Sequence, residues 1–306
     1  MSAYIIRRLF WLIVTLLAVS IFTFVIIFAG PVDPVKALVG PKAQGEALVA
    51  LRHQLGLDRP LYVQYLDYMG RLVRGDLGTS FFFKRPVSEA LFSRFPATAQ
   101  LAACIMGLSL VFGLPLGVIA AMRRGSVLDH GMQIVGLMLI SMPTFFFGLL
   151  LIYFMAFRLR VFPVGGYGSL KHLILPGLSV ALPWAVWYGV ILRTNMLDVL
   201  AADYVRTAYA KGLPQRLVVW RHMLKNAMLP LVTMLGMDFA SLLTGMAFVE
   251  YVFNWPGIGW QALTAAQHFD VPMIMGSVLF GAALIGIANL VVDVLYTFLD
   301  PRVRLT

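Results

Sequence analysis

Residues Leu9–Val32 read LFWLIVTLLAVSIFTFVIIFAGPV, 24 positions without one charge. A helix needs roughly 20 mainly apolar residues to cross the hydrocarbon core of a bilayer. Arg7 and Arg8 stand just before the run. A secretory leader has a shorter apolar core, about 7–15 residues, followed by a small-residue cleavage box. Here the run is longer and ends at Gly30-Pro31, so a retained spanning helix is expected.

The pattern recurs along the chain. Residues 95–122, 130–157 and 172–192 are uncharged, 228–249 carries only Asp238, and 271–297 only Asp293. With 9–32 these make six expected spans. Residues 251–269 are also uncharged, and Asn254-Trp-Pro-Gly-Ile-Gly-Trp260 within them has a density of Gly, Pro and Trp that favours a structured interfacial loop, 251–270, over a seventh span. Composition agrees. Of 306 residues, 60% are hydrophobic and 12% charged, and the mean hydropathy is +0.85. Soluble domains carry about 25% charged residues. This chain lacks the polar surface of a soluble enzyme and is too apolar for disorder. The expected class is an all-α polytopic membrane protein.

Chemistry-bearing clusters are sparse. Cys104 is the single cysteine, so neither an intrachain disulfide nor a cysteine metal site can form. The five histidines show no ligand spacing, and no Gly-x-x-x-x-Gly-Lys-Ser/Thr phosphate loop occurs. The net charge of +10 is therefore read against the bilayer rather than as a nucleic-acid footprint. Arg7, Arg8, Arg123, Arg124, six basic residues of loop 193–227, Arg302 and Arg304 fall on one side of a six-span topology. Arg158, Arg160 and Lys171 fall in short connections on the other. The positive-inside bias puts both termini in the cytoplasm.

Two loops carry structure of their own. Residues 33–94 form the long external loop. Leu48, Leu51 and Leu55 share a helical face within Glu46–Leu55, and Pro60 opens a second expected helix running to about Arg74, stopped by Gly75-Asp76-Leu77-Gly78. The internal loop 193–227 contains Asp203-Tyr204-Val-Arg206-Thr207-Ala208-Tyr-Ala210-Lys211-Gly212-Leu213-Pro214. Asp203 suits a helix N-terminus, Gly212 a C-terminal cap and Pro214 the start of the next helix. Ala208 and Ala210 would let a partner approach closely. Among the spans, Asp238 is a costly intramembrane carboxylate, which usually faces a pore or a partner helix. Met234 and Met237 beside it suit a soft pathway lining. Glu250 and Asp293, nearer span ends, read as structural anchors.

The whole chain resembles the permease subunits of dipeptide-, oligopeptide- and nickel-type ATP-binding-cassette importers. Carrying the resemblance are Arg7-Arg8-Leu9, Leu55-Gly-Leu-Asp-Arg-Pro-Leu-Tyr62, Gly75-Asp-Leu-Gly-Thr-Ser80, Glu250-Tyr-Val-Phe-Asn-Trp-Pro-Gly-Ile-Gly259 and Leu299-Asp-Pro-Arg302. To these it adds Asp203-Tyr-Val-Arg-Thr-Ala208, Ala210-Lys-Gly212 and Leu229-Pro230. The general importer motif places Glu-Ala-Ala ahead of its Gly. Here Arg206-Thr207-Ala208 stands in that region, and the stretch from Gly212 to Pro230 is longer.

The resemblance implies a bacterial inner-membrane location, a second homologous permease, two separate ATPase subunits holding ATP and Mg, and an external solute-binding protein. It implies no cofactor and no catalytic site in this chain. It implies that 203–221 docks on the ATPases, with coupling residues within 203–214, and that the cargo is a di- or oligopeptide, with nickel complexes or another small solute as the alternative. A proton-coupled secondary transporter, the reading from a different class, would need a buried ionisable relay, and Asp238 stands nearly alone at midspan.

Overall fold

The computed structural model describes residues 2–28, 53 and 58–299, with side chains described at 4–28, 53 and 58–293. Apart from His53, the expected helix Glu46–Leu55 lies outside the described residues. So do 29–32 at the end of the first expected span and the terminal Arg302 and Arg304.

Among the described residues, four helices are long and apolar enough to cross a membrane: α1 (Ser2–Phe28), α3 (Val87–Met122), α6 (Leu170–Leu200) and α13 (Val271–Leu299). A fifth crossing is available if α4 (Val127–Ser141) and the segment from α5 (Thr144–Leu151) through a π-helical turn (Ile152–Arg158) act as one, although they meet at 103°. The chain is thus an all-α polytopic membrane protein. Between α1 and α3 lies α2 (Leu61–Val73), with Pro60 at its N-cap and Arg74 at its C-cap. Past α6 come α7 (Asp203–Ala210), α8 (Gln215–Leu217), a second π-helical turn (Val218–Met223), α9 (Leu224–Ala227), α10 (Leu229–Leu242), α11 (Ala247–Val252) and α12 (Ile258–Gln267).

Several bounds depart from the uncharged runs, each for a physical reason. Helix α3 begins eight residues before 95, because its first turns carry Glu89 and Arg94 beyond the apolar stretch. Likewise α6 outlasts 192 through Arg193 and Asp198. A charge-free run measures the part of a helix that lipid can hold, not the helix. The run 130–157 is broken at Met142-Pro143, where Met142 is extended (ψ 134°), the conformation a following proline imposes. Pro176 and Pro183 nevertheless sit inside the unbroken α6, the most buried of the long helices. The run 228–249 is interrupted between Leu242 and Ala247. There Gly245 takes φ +91° against the Gly259 backbone, an approach that leaves no room for a Cβ.

The chain forms two compact units. The first comprises Met1–Thr98, Leu243–Tyr251 and Pro256–Thr306. In it α1 lies along α13, with Arg8 Nη2 2.8 Å from Asp293 Oδ2. Helix α2 packs on both through Phe24, Tyr68, Val271, Met275 and Leu279, and Ser20 Oγ shares a 2.8 Å hydrogen bond with the Tyr65 hydroxyl. A second core joins Val87, Ala90 and Leu91 of α3 to Ile258, Ala265 and Met273.

The second unit comprises Ala99–Leu242 and Val252–Trp255, built around α6. Gly113 and Gly117 of α3 meet Ala185 and Gly189 of α6 so closely that a Cβ on either α3 glycine would strike backbone. Small residues that bring helix backbones together are the usual packing device in lipid.

Candidate functional site

Three constellations carry the candidate chemistry, and each sits within one unit. The first is the loop at 203–227. Helix α7 ends in a Schellman cap, in which Gly212 N–H donates to Tyr209 O (2.9 Å) and Leu213 N–H to Ala208 O (3.3 Å). Gly212 has φ +73°, the left-handed conformation such a cap requires. Leu213 then turns back onto the core beside Ala208.

That core decides which face is free. Val205 and Ala208 are buried against Val218, Val219, Met223 and Leu224, and the cluster continues into Leu192 and Met196 of α6. Ala208 was expected on the partner side and instead packs inward, since a small side chain is what lets α7 lie close to the π-helical turn. Asp203, Tyr204, Arg206, Thr207, Ala210, Lys211, Gly212 and Pro214 are exposed. Tyr204 is tethered by Asn226 Nδ2 (3.0 Å) and Thr207 Oγ1 donates to Asp203 O (2.9 Å). Next to this face Pro214, Arg216, Leu217 and Trp220 line a cavity of about 350 Å³, with Trp220 60% exposed. The result is a tyrosine- and arginine-bearing surface fixed rigidly to α6. Leu217 and Trp220 fall within the expected docking stretch 203–221, beyond its named coupling residues, which end at Pro214.

The second constellation is Asp238. The fully buried Tyr188 of α6 donates its hydroxyl to Asp238 Oδ2 at 2.7 Å. Met234 is half-buried and Met237 is 53% exposed on the same helix. The carboxylate is therefore bound to a neighbouring helix while remaining part-open. Asp238→Ala would leave the Tyr188 hydroxyl buried without its acceptor, at about 1–3 kcal/mol. Asp238→Asn keeps an acceptor. The expected outcome is a lowered thermal midpoint in detergent for the alanine variant and a near-normal one for asparagine. Equal midpoints would show that the bond carries no stability.

The third constellation is two fully buried carboxylates in the first unit. Glu250 accepts from Thr98 Oγ1 (3.0 Å) and the Trp260 amide (2.8 Å), and the Gly259 amide also bonds to it. Thr98 Oγ1 in turn accepts from the Ile258 amide at 2.9 Å. A Cβ on Gly257 would overlap the Glu250 carboxylate. Burial pushes the Glu250 carboxyl above the ordinary glutamate range, with these hydrogen bonds pulling the other way. Asp270 accepts from Ser80 Oγ, from the amides of Phe81 (3.1 Å) and Phe82 (3.0 Å), and from Met273 N at 3.4 Å. Glu250 thus acts as the anchor its place near a span end suggested. Asp270 went unrecognised in the sequence, although its place just ahead of an apolar run is that of an N-cap.

Among the described residues no group of three His, Cys, Asp or Glu side chains is arranged to hold a metal ion. Comparison with known proteins gives the family. Residues 113–305 match the family described as binding-protein-dependent transport system inner membrane component, and residues 1–102 match its N-terminal counterpart. The glutathione transport system permease protein GsiC of Escherichia coli (strain CFT073) is 40% identical over 304 residues, 99% of each chain. GsiC of Salmonella choleraesuis matches to the same extent. Among solved structures, an inward-facing form of the MetNI methionine ABC transporter has a TM-score of 0.55 at 16% identity, covering 70% of this chain and 97% of that one. A membrane-embedded helical chain with matches at both ends of its length is thereby placed: it belongs to the inner-membrane permease family of binding-protein-dependent transport systems, and it is the transport subunit rather than the ATPase.

Proposed function

We propose that this permease forms half of the pathway of an importer for short peptides, driven by two separate ATPase subunits that dock on 203–214 and the adjoining Trp220 surface. The single observation that carries the cargo is 40% identity, end to end, with permeases named for glutathione, itself a short peptide. In this reading the spans number six: the five available crossings plus α10, a 14-residue apolar helix preceded by α9. Both termini and loop 193–227 face the cytoplasm, and 33–94 and 251–270 face outward, toward a solute-binding protein. ATP and Mg reside on the ATPase partners, and a second homologous permease completes the pathway.

The coupling route follows from packing. A push on α7 meets Val205 and Ala208, which are set against Val218, Met223 and Leu224 and, through Met196 and Leu192, against α6. A close-packed cluster transmits displacement rather than absorbing it. ATPase closure then biases the permease between inward- and outward-open populations. Met234, Met237 and Asp238 line the path, where the carboxylate meets a peptide amino group. Asp238→Asn, which keeps the Tyr188 bond, is expected to slow uptake with no loss of assembled complex.

Purification in mild detergent is expected to recover two ATPase chains and one homologous permease, with ATP hydrolysis rising on addition of peptide-loaded binding protein. Tyr209→Ala, on the exposed face of α7, is expected to lower that stimulated hydrolysis about tenfold without reducing the level of this chain, as an interface tyrosine worth about 1.4 kcal/mol would. Recovery of the chain alone, with uptake following a proton gradient and indifferent to ATP, would overturn the proposal.

A further inference from the structure

We propose that Arg85 and Arg94, floored by Trp260 and Phe83, bind the free carboxylate of the solute as it enters the pathway; the proposal rests on the peptide-importer reading above. The Arg94 guanidinium lies over the Trp260 ring, 5.7 Å from its centroid, and Phe83 stands 6.3 Å from the same ring. Burial, and after it the charge of Arg85, lower the Arg94 pKa from the ordinary arginine value. No ion pair joins either arginine to a carboxylate among the described residues, whereas Arg8, Arg59, Arg193 and Arg206 each have one. The buried acids of this unit, Glu250 and Asp270, are saturated by other donors. Glu89, on the same helix as Arg94, forms no ion pair with it or with Arg85.

A partly buried guanidinium on an aromatic floor, with a second positive charge acting on it and no counter-charge, is unfavourable until an anion arrives. Guanidinium forks match the planar carboxylate, and a partly covered position strengthens the bond over one made in open water. The cluster is also built to stay put. The turn bearing Phe83 and Arg85 is closed by Ser80 N–H to Arg85 O (3.0 Å), by Lys84 N–H to Ser80 O (3.1 Å) and by Phe83 N–H to Ser80 Oγ (2.9 Å). Asp270 grips that turn from one side, and Glu250 holds the Trp260 backbone from the other. Thus the two buried carboxylates fix both walls, so little ordering remains to be done when an anion binds.

The test uses the assembled importer in lipid nanodiscs of phosphatidylcholine, with trialanine and trialanine amide as probes and saturation-transfer NMR as the readout for weak binding. The unaltered complex is expected to prefer trialanine about tenfold, the scale of one charge-assisted contact. Arg94→Gln should bring the two probes to equal affinity, and Arg94→Lys should retain part of the preference. Arg85→Gln, on the turn rather than in the helix, supplies the same reading if Arg94 variants assemble poorly. Equal binding of both probes to the unaltered complex overturns the proposal, as does a preference that survives both glutamine variants. Loss of trialanine binding when phosphatidylglycerol is added also overturns it, since the site would then belong to a lipid phosphate. Stimulation of ATP hydrolysis by peptide-loaded binding protein is read on the same preparation, and its absence would sink the peptide-importer reading while leaving the arginine result to stand by itself.

Discussion

Glu250→Ala is expected to remove at least about 3 kcal/mol of stability, enough to clear most of the folded chain from the membrane. Thr98 Oγ1 and the Trp260 and Gly259 amides would each face an apolar methyl in a fully buried site. Each stranded buried donor costs about 1–3 kcal/mol. The Ile258 amide is affected indirectly, because Thr98 holds it. Glu250→Gln keeps an acceptor for the amides and should retain a large part of the fold. Thermal unfolding of the purified complex, with immunoblot levels in membranes, separates the three proteins. The pH dependence has a definite sign. A carboxyl raised by burial binds its proton more tightly folded than unfolded, so its contribution to stability falls as pH rises from the ordinary glutamate range through the raised value. The glutamine variant should lose that slope. An alanine variant as stable as the unaltered chain would show that the loop 251–260 is held by something else.

Arg193→Met is expected to cost about 3–5 kcal/mol, the scale for breaking a buried ion pair from one side. Asp129 is 1% exposed and accepts both Arg193 Nε and Arg193 Nη2, the latter at 2.7 Å. Gly125 N–H (2.9 Å) and Gln133 Nε2 (3.1 Å) complete its shell. Methionine fills the stem volume of arginine but leaves this carboxylate uncompensated. The reciprocal exchange, Asp129→Arg with Arg193→Asp, should not rescue the fold. Position 129 must accept from the Gly125 amide, and a guanidinium has no acceptor. Unfolding in graded sodium dodecyl sulfate reads both variants, and rescue by the exchange would reduce the pair to simple charge attraction.

The sequence made the helices visible and their breaks much less so. Apolar runs mark what lipid can surround, so α1, α3, α6 and α13 were legible in kind, though not in where they start or stop. Pro115, Pro176 and Pro183 lie inside long helices that run on through them, whereas Pro143 stands at a break. At Pro176 and Pro183 the buried packing of α6 overrides a local preference worth a few kcal/mol. In the 203–214 loop the cap at Gly212 was readable from residue type, while the inward turn of Ala208 was not, because it depends on Val218 and Met223 ten or more residues away. The buried acids divide likewise. Ser126 caps α4 by accepting from Asp129 N at 3.3 Å, a contact between residues three apart in the chain. The partner of Asp129, Arg193, 64 positions on, is fixed by tertiary packing alone.

The π-helical turn Val218–Met223 bears on how positions are matched between related permeases. A π turn admits one residue more than the α turns on either side of it. The count from Gly212 to Pro230 therefore includes a residue absorbed inside a helix. An alignment that opens its gap elsewhere in this stretch will register Trp220, Arg221 and His222 one position off. A substitution transferred from a relative by counting along the chain would then rotate by about a hundred degrees around the helix. It would strike the buried side of the segment when the exposed side was intended.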